Sequence, residues 1–291
     1  MAGDSQQTTI GGGDIDMGNE KYFDENVVLY DRFRPDYGVE IFEYILTYAS
    51  ITEDSRILEI GCGPGNATLP FILRGGDVTA VEIGKNLCDY VRNKFSEYPN
   101  FRAVNCAFEE YETSERFDLI FAATSFHWIK SEFAYPRCRE YLKSGGSLAT
   151  FWNTPRISRR NDALYEEIQT LYQRFMPDMA EENEQLTESE WYQKRCQGLN
   201  HFFQKYGYSD IIFKLFHSTR TFTAEEYIGL LHTYSDHMAL PDYERKSLFD
   251  GIHSAVSKHG NIIINDTIDL HMGRCLSFSY FPTCATCATG E

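Results

Sequence analysis

Between residues 39 and 152 the chain alternates short apolar runs with amphipathic stretches. Val39–Leu46 places Ile41 and Ile45 on one helical face. Arg56–Ile60, Asp77–Ile83, Phe101–Asn105, Phe117–Ala122 and Gly146–Trp152 read as five short strands. Helical patterns at 66–74, 85–98 and 131–142 lie between them. Strands that alternate with helices predict parallel βαβ units and a doubly wound sheet. The alternation stops at Asn153. Residues 155–205 are polar and helix-forming, with an apolar stripe at Leu164, Ile168, Leu171 and Phe175. Residues 211–222 then read as a strand. Thr223 and Glu226 carry the spacing of a capping box that opens a helix to about 233, and Ile262–Met272 reads as the last strand.

These elements divide the chain into a flexible tail (1–20), a core (21–154), a helical insertion that could cover a substrate (155–205), a completion of the core sheet (206–274) and a loose C-terminal tail (275–291). The expected fold is an α/β, Rossmann-like sheet of seven strands, mostly parallel, with helices on both faces.

Composition narrows the function. Of the 291 residues, 42% are hydrophobic and 15% aromatic, enough for a sizeable core and for pocket walls. The formal net charge of −16 opposes a polyanionic partner, so nucleic acid is not expected. Most of the eight cysteines fall in apolar or helix-like segments, and residues 1–20 carry no secretory pattern. The expectation is a reduced, cytoplasmic, soluble protein without a membrane partner, a monomer or a homodimer. Cys284 and Cys287 have Cys-x-x-Cys spacing, but no second pair follows, and no metal site is expected.

The most informative segment is Glu59-Ile-Gly61-Cys-Gly63-Pro-Gly65-Asn66, which follows a strand and opens a helix. Glycines there let the backbone turn tightly and approach a ligand, beside the unpaired N–H groups of a helix N-terminus. A dinucleotide loop needs Gly at position 66, which holds Asn66. Glu82, at the end of the second strand, can accept two hydrogen bonds from ribose hydroxyls.

Glu-x-Gly-x-Gly-x-Gly resembles motif I of the class I methyltransferases that use S-adenosylmethionine (SAM). The resemblance implies that Glu59, Gly61, Gly63 and Gly65 form the cofactor loop and that Glu82 holds the ribose. It also implies that the turn Asn105–Glu109 holds the adenine. Cys106 stands where the family carries an acidic residue, leaving Ala107 and Phe108 to supply backbone and apolar contacts, with Glu109 as a substitute. Tyr30–Tyr37 resembles the N-terminal segment of enzymes with a type 11 methyltransferase domain. There Tyr30 would pack at the methionine end and Arg34 would pair with its carboxylate. A core Tyr and a surface Arg are the competing reading.

Ala123-Thr124-Ser-Phe-His127-Trp128 resembles a run in trans-aconitate-methyltransferase-like enzymes, as does Thr233-Tyr-Ser235. By that resemblance Thr124 belongs to the cofactor site and His127 lies where methyl and acceptor meet. His127 is then a candidate general base, or else a packed wall residue. The expected activity is methyl transfer (EC 2.1.1.-) to a small molecule, a carboxylic acid among the candidates. The alternatives are a SAM-binding protein that has lost catalysis and acts through a partner, and a methyltransferase for protein or RNA.

Overall fold

The computed structural model describes residues 27–34, 37–177 and 188–275. The expected tail at 1–20 and residues 276–291 of the expected tail at 275–291, with Cys284 and Cys287, lie outside the described residues, as do Pro35 and Asp36 of the Tyr30–Tyr37 segment; Cys275 itself is the buried last residue of the final strand.

Seven strands form one sheet in the order β3-β2-β1-β4-β5-β7-β6. Strands β1 (Arg56–Ile60), β2 (Asp77–Glu82), β3 (Phe101–Asn105) and β4 (Phe117–Ala123) pair in parallel with one another, and β4 pairs in parallel with β5 (Leu142–Ile157). The last strand, β7 (Ile262–Cys275), inserts antiparallel between β5 and β6 (Tyr208–Phe222). This is the mostly parallel, Rossmann-like sheet that the sequence pattern predicts.

The strands are short apolar runs because both faces of the sheet are covered. Alternate β1 side chains face opposite ways. Ile57 enters one core with Phe71, Val91 and Phe151, and Leu58 enters the other with Phe117, Tyr135 and Phe203. Helices α1 (Val27–Phe33), α2 (Val39–Tyr48), α3 (Leu69–Leu73), α4 (Lys85–Lys94) and α5 (Ser131–Tyr141) surround this parallel half.

Strand β5 continues through Ile157, beyond the Trp152 end that its apolar run suggests. The added residues pair with Ile264–Ile268 of β7, so a long antiparallel ladder holds a segment whose own pattern is polar. Helices α6 (Asp162–Phe175) and α7 (Glu188–Lys205) follow. Thr223 caps α8 (Ala224–Leu231): its hydroxyl accepts from Glu226 N–H at 3.3 Å, and Glu226 Oε2 accepts from Thr223 N–H at 2.9 Å, as the capping-box spacing predicts. Then come the one-turn α9 (Ser235–Met238) and the 18-residue α10 (Asp242–His259).

The sequence pattern does not predict α10. Its apolar residues are spread among charges, and the helix is held by tertiary packing of Leu248, Ile252 and Val256 against Leu164, Ile168 and Leu230. Burying each such aliphatic side chain contributes about 1.5–3 kcal/mol. Among the described residues no helix is long and apolar enough to cross a membrane.

Candidate functional site

A cavity of about 680 Å³ opens at the carboxyl ends of the parallel strands, where open α/β sheets bind ligands. The loop after β1 forms its floor. Gly61 and Gly63 have φ of 68° and 53°, a left-handed conformation that side chains resist. Among the described residues a Cβ on Gly63 would meet only the Tyr30 ring, at 3.8 Å, so this glycine faces open space beside the cavity. Gly65 does a different job. A Cβ there would lie 2.5 Å from Phe95, so its absence lets α4 and the residue after it pack on the loop. Gly65 does not line the cavity.

Glu59 also stands behind the loop. It is buried, and its Oε2 accepts a 2.6 Å hydrogen bond from Thr68 Oγ1. Burial outweighs that bond and pushes its carboxyl up to about 8. The residue braces the loop from inside the sheet and is not part of the cavity wall.

Glu82 is on the wall. Its two oxygens accept from Gly63 N–H and Gly84 N–H, both at 2.8 Å, which ties the end of β2 to the glycine loop. Asn105 Nδ2 donates to the Glu82 and Ile83 carbonyls at 2.9 Å and joins β3 to the same corner. Cys106, Ala107, Phe108 and Glu109 line the cavity next to it. Burial raises the Cys106 thiol, so this position offers a neutral group where a carboxylate would offer charge.

The opposite wall comes from distant parts of the chain. Tyr30 and Arg34 line it. The Arg34 guanidinium lies 4.8 Å from the Tyr30 ring centre and 4.6 Å from that of Tyr234, and donates to Thr233 O at 2.6 Å. Thr124 has φ of 54°, a strained value for a β-branched residue. Three contacts hold it there: its N–H donates to Phe151 O at 2.7 Å, its hydroxyl pairs with Tyr37 OH at 2.9 Å, and it accepts from Asn153 N–H at 3.4 Å. Ser125 Oγ donates to Ile60 O and pins this turn to the glycine loop.

His127 and Trp128 complete the wall on a 3-10 turn, Phe126–Trp128. Trp152 Nε1–H donates to His127 Nδ1 at 3.0 Å. Surrounding protein and the nearby Arg195 charge push His127 down to about 4, so it is neutral at pH 7. Asn153 also lines the cavity and is fixed through Asp266. Asp266 accepts from Asn153 Nδ2 at 2.7 Å and from Arg220 Nε and Nη2 at 2.5 and 2.8 Å.

The fold therefore brings Tyr30, Arg34, Gly61, Gly63, Glu82, Ala107, Phe108, Thr124 and His127 around one cavity and leaves Glu59 and Gly65 behind it. Sequence reasoning missed Asn66, Tyr37, Asn153 and Asp236, which also line it. Asn66 and Tyr37 sit inside segments already singled out. Asn153 and Asp236 leave no local signal: the pairing of β5 with β7 places Asn153, and Asp236 comes from the short helix α9, next to the Tyr234 ring that Arg34 packs on.

The residues fit an adenosine cofactor. Both side-chain polar atoms of Asn66 are buried at the cavity and have no partner among the described residues, an arrangement that a ligand would satisfy. Gly63 leaves backbone accessible, and Glu82 presents a carboxylate at the edge.

Comparison with known proteins agrees. Residues 57–146 match a methyltransferase domain family. An uncharacterized methyltransferase-like protein of Schizosaccharomyces pombe is 28% identical over 234 residues, covering 78% of this chain and 83% of that protein. Among solved structures, a candidate type II methyltransferase of Anaeromyxobacter dehalogenans superposes with a TM-score of 0.60 at 17% identity, covering 84% of this chain and 99% of that one. Phosphoethanolamine N-methyltransferase 2 of Haemonchus contortus, solved with phosphomonomethylethanolamine and S-adenosylhomocysteine, gives 0.51 at 16% identity, covering 88% and 58%. With the fold, the cavity and the match over 57–146 in agreement, the chain carries a class I methyltransferase domain and is a SAM-dependent methyltransferase.

Proposed function

We propose that the chain methylates a small organic molecule inside this cavity. The observation that carries the proposal is the continuity of one lining, from Glu82 and Gly63 at one end to His127, Asn153 and Tyr234 at the other. A volume of about 680 Å³ that takes both cofactor and acceptor suits a small acceptor.

In this reading Glu82 accepts from the ribose hydroxyls, and Ala107 and Phe108 border the adenine. Gly61 and Gly63 offer backbone to the methionine part, and Tyr30 and Arg34 close over it, with Arg34 facing its carboxylate. Thr124 shapes the turn beside the methyl group. Glu59 and Gly65 act through the loop they brace. SAM supplies a methyl group already activated on a sulfonium, so the protein's tasks are alignment and exclusion of water. Tyr30, Tyr37, Trp128 and Tyr234 provide apolar walls suited to both tasks. The acidic chain adds long-range repulsion against RNA or DNA.

Calorimetry with SAM and with NAD tests the cofactor part: one SAM site per chain and no NAD binding are expected. Labelled SAM with panels of small acids, alcohols and amines, total RNA and whole-cell protein tests the acceptor. Label entering RNA or protein and no small molecule would overturn the proposal.

A further inference from the structure

Beside the cavity, His127 is tied to the sheet by a side chain that does not itself line the site. Trp152 lies on β5, and its indole N–H meets His127 Nδ1 at 3.0 Å. An indole nitrogen can only donate. His127 Nδ1 must therefore be the unprotonated nitrogen, and the neutral ring carries its proton on Nε2. Protonating Nδ1 as well would break this bond and put a cation near Arg195, whose guanidinium lies 4.7 Å from the Trp152 ring centre. Arg195 is itself held, since its Nε donates to the fully buried Asp269, which also pairs with His271 Nε2 at 2.7 Å.

We infer that Trp152 is a positioning residue that locks His127 in its Nε2–H form, so the acceptor meets a hydrogen-bond donor there. The inference rests on the proposed use of this cavity for the acceptor. It replaces the expectation of a general base at His127. A ring with Nδ1 occupied and Nε2 protonated has no lone pair to take a proton from the acceptor. The ligand chemistry that fits is an acceptor bearing an oxyanion within reach of Nε2–H, a group that needs no deprotonation and gains a hydrogen bond. Arg195 packs on the Trp152 ring, and its charge favours the neutral His127 ring.

The test is 15N NMR of histidine-labelled protein saturated with S-adenosylhomocysteine, with the His127 signal assigned through His127→Asn. At pH 7 the wild-type ring is expected as a single Nε2–H tautomer. In Trp152→Phe the two tautomers are expected to mix, with S-adenosylhomocysteine affinity changed less than threefold by calorimetry. Benzoate, used as an oxyanion probe, is expected to shift the wild-type Nε2 signal, whereas benzylammonium leaves it in place. An Nδ1–H ring in the wild type overturns the inference even if the Phe variant does not fold. An unchanged tautomer in Trp152→Phe removes the positioning role, and a signal that ignores benzoate removes the oxyanion class. Failure of S-adenosylhomocysteine to bind at all sinks the cofactor reading instead, a separate result.

Discussion

At the residue scale, neighbouring glycines of one loop serve different ends. Gly63 faces the cavity, and Gly65 faces Phe95 and Val91. Gly65→Ala is expected to destabilise the fold by about 1–3 kcal/mol through overpacking and the cost of a left-handed φ. Gly63→Ala carries only the φ cost, on the order of 1 kcal/mol, and is expected to weaken SAM binding more than it weakens the fold. Thermal unfolding and SAM titration of both variants separate the two. Equal loss of cofactor affinity with equal loss of stability would contradict the division.

Glu82→Ala is expected to lower SAM affinity by about 1–3 kcal/mol, the range for losing hydrogen bonds to a charged acceptor, with Glu82→Gln intermediate. Calorimetry reads both, and an unchanged affinity places the ribose elsewhere. Glu59 makes a prediction in pH. Its carboxyl stands at about 8 in the folded chain against an ordinary 4.5, so between these values the folded state binds more protons than the unfolded one. Its contribution to stability is complete below about 4.5 and declines as pH rises toward 8. Urea unfolding from pH 5 to 8 is expected to show a smaller loss of stability for Glu59→Gln than for the wild type.

At the element scale, α7 is attached to the sheet through a buried charge pair. Arg195 reaches β7 and meets Asp269, which is 0% exposed. Leaving one partner of such a pair alone is costly, whereas replacing both by apolar groups is often neutral. Asp269→Ala is therefore expected to cost about 3–5 kcal/mol in urea unfolding. The triple change Arg195→Met, Asp269→Leu and His271→Leu, which also removes the buried His271 that Asp269 holds, is expected to recover most of it. A triple variant as unstable as Asp269→Ala would show that the cost does not come from leaving this charge cluster incomplete. The same helix carries the Arg195 that packs against Trp152, so its docking reaches the His127 wall.

At the scale of the whole molecule, a formal charge of −16 sets which partners approach. Repulsion acts over a Debye length of about 10 Å at 0.1 M salt and farther at lower salt. Short single-stranded RNA is expected not to bind in fluorescence anisotropy, even at low ionic strength where attraction to a basic track would be strongest. Salt-sensitive binding there would reverse the reading of the charge balance. The fold also joins the two sides of the cavity through one sheet, which runs without interruption from β3, behind the corner lined by Cys106–Glu109, to β6, whose Arg220 holds Asn153 through Asp266.

What was legible without coordinates was local. The runs at Arg56–Ile60, Asp77–Glu82 and Phe117–Ala123 are apolar because both faces of a parallel strand are buried, and the periodicity reports that directly. The glycine loop and the capping box at Thr223 are likewise short-range chemistry, readable from spacing alone. The extension of β5 to Ile157 depends on strand partners more than about 100 residues away, and the helix Asp242–His259 packs on Leu164 and Ile168, about 80 to 90 residues back, as well as on the nearer Leu230, so no short window of sequence contains their cause. The site divides in the same way. Gly63 and Glu82 announce themselves through motif and strand end. That Glu59 turns inward depends on how the glycine loop folds back to bring Thr68 over the end of β1. That Asn153 is held by Asp266 and Arg220, and that Trp152 sets the proton on His127, follow only from which strands the sheet lays side by side.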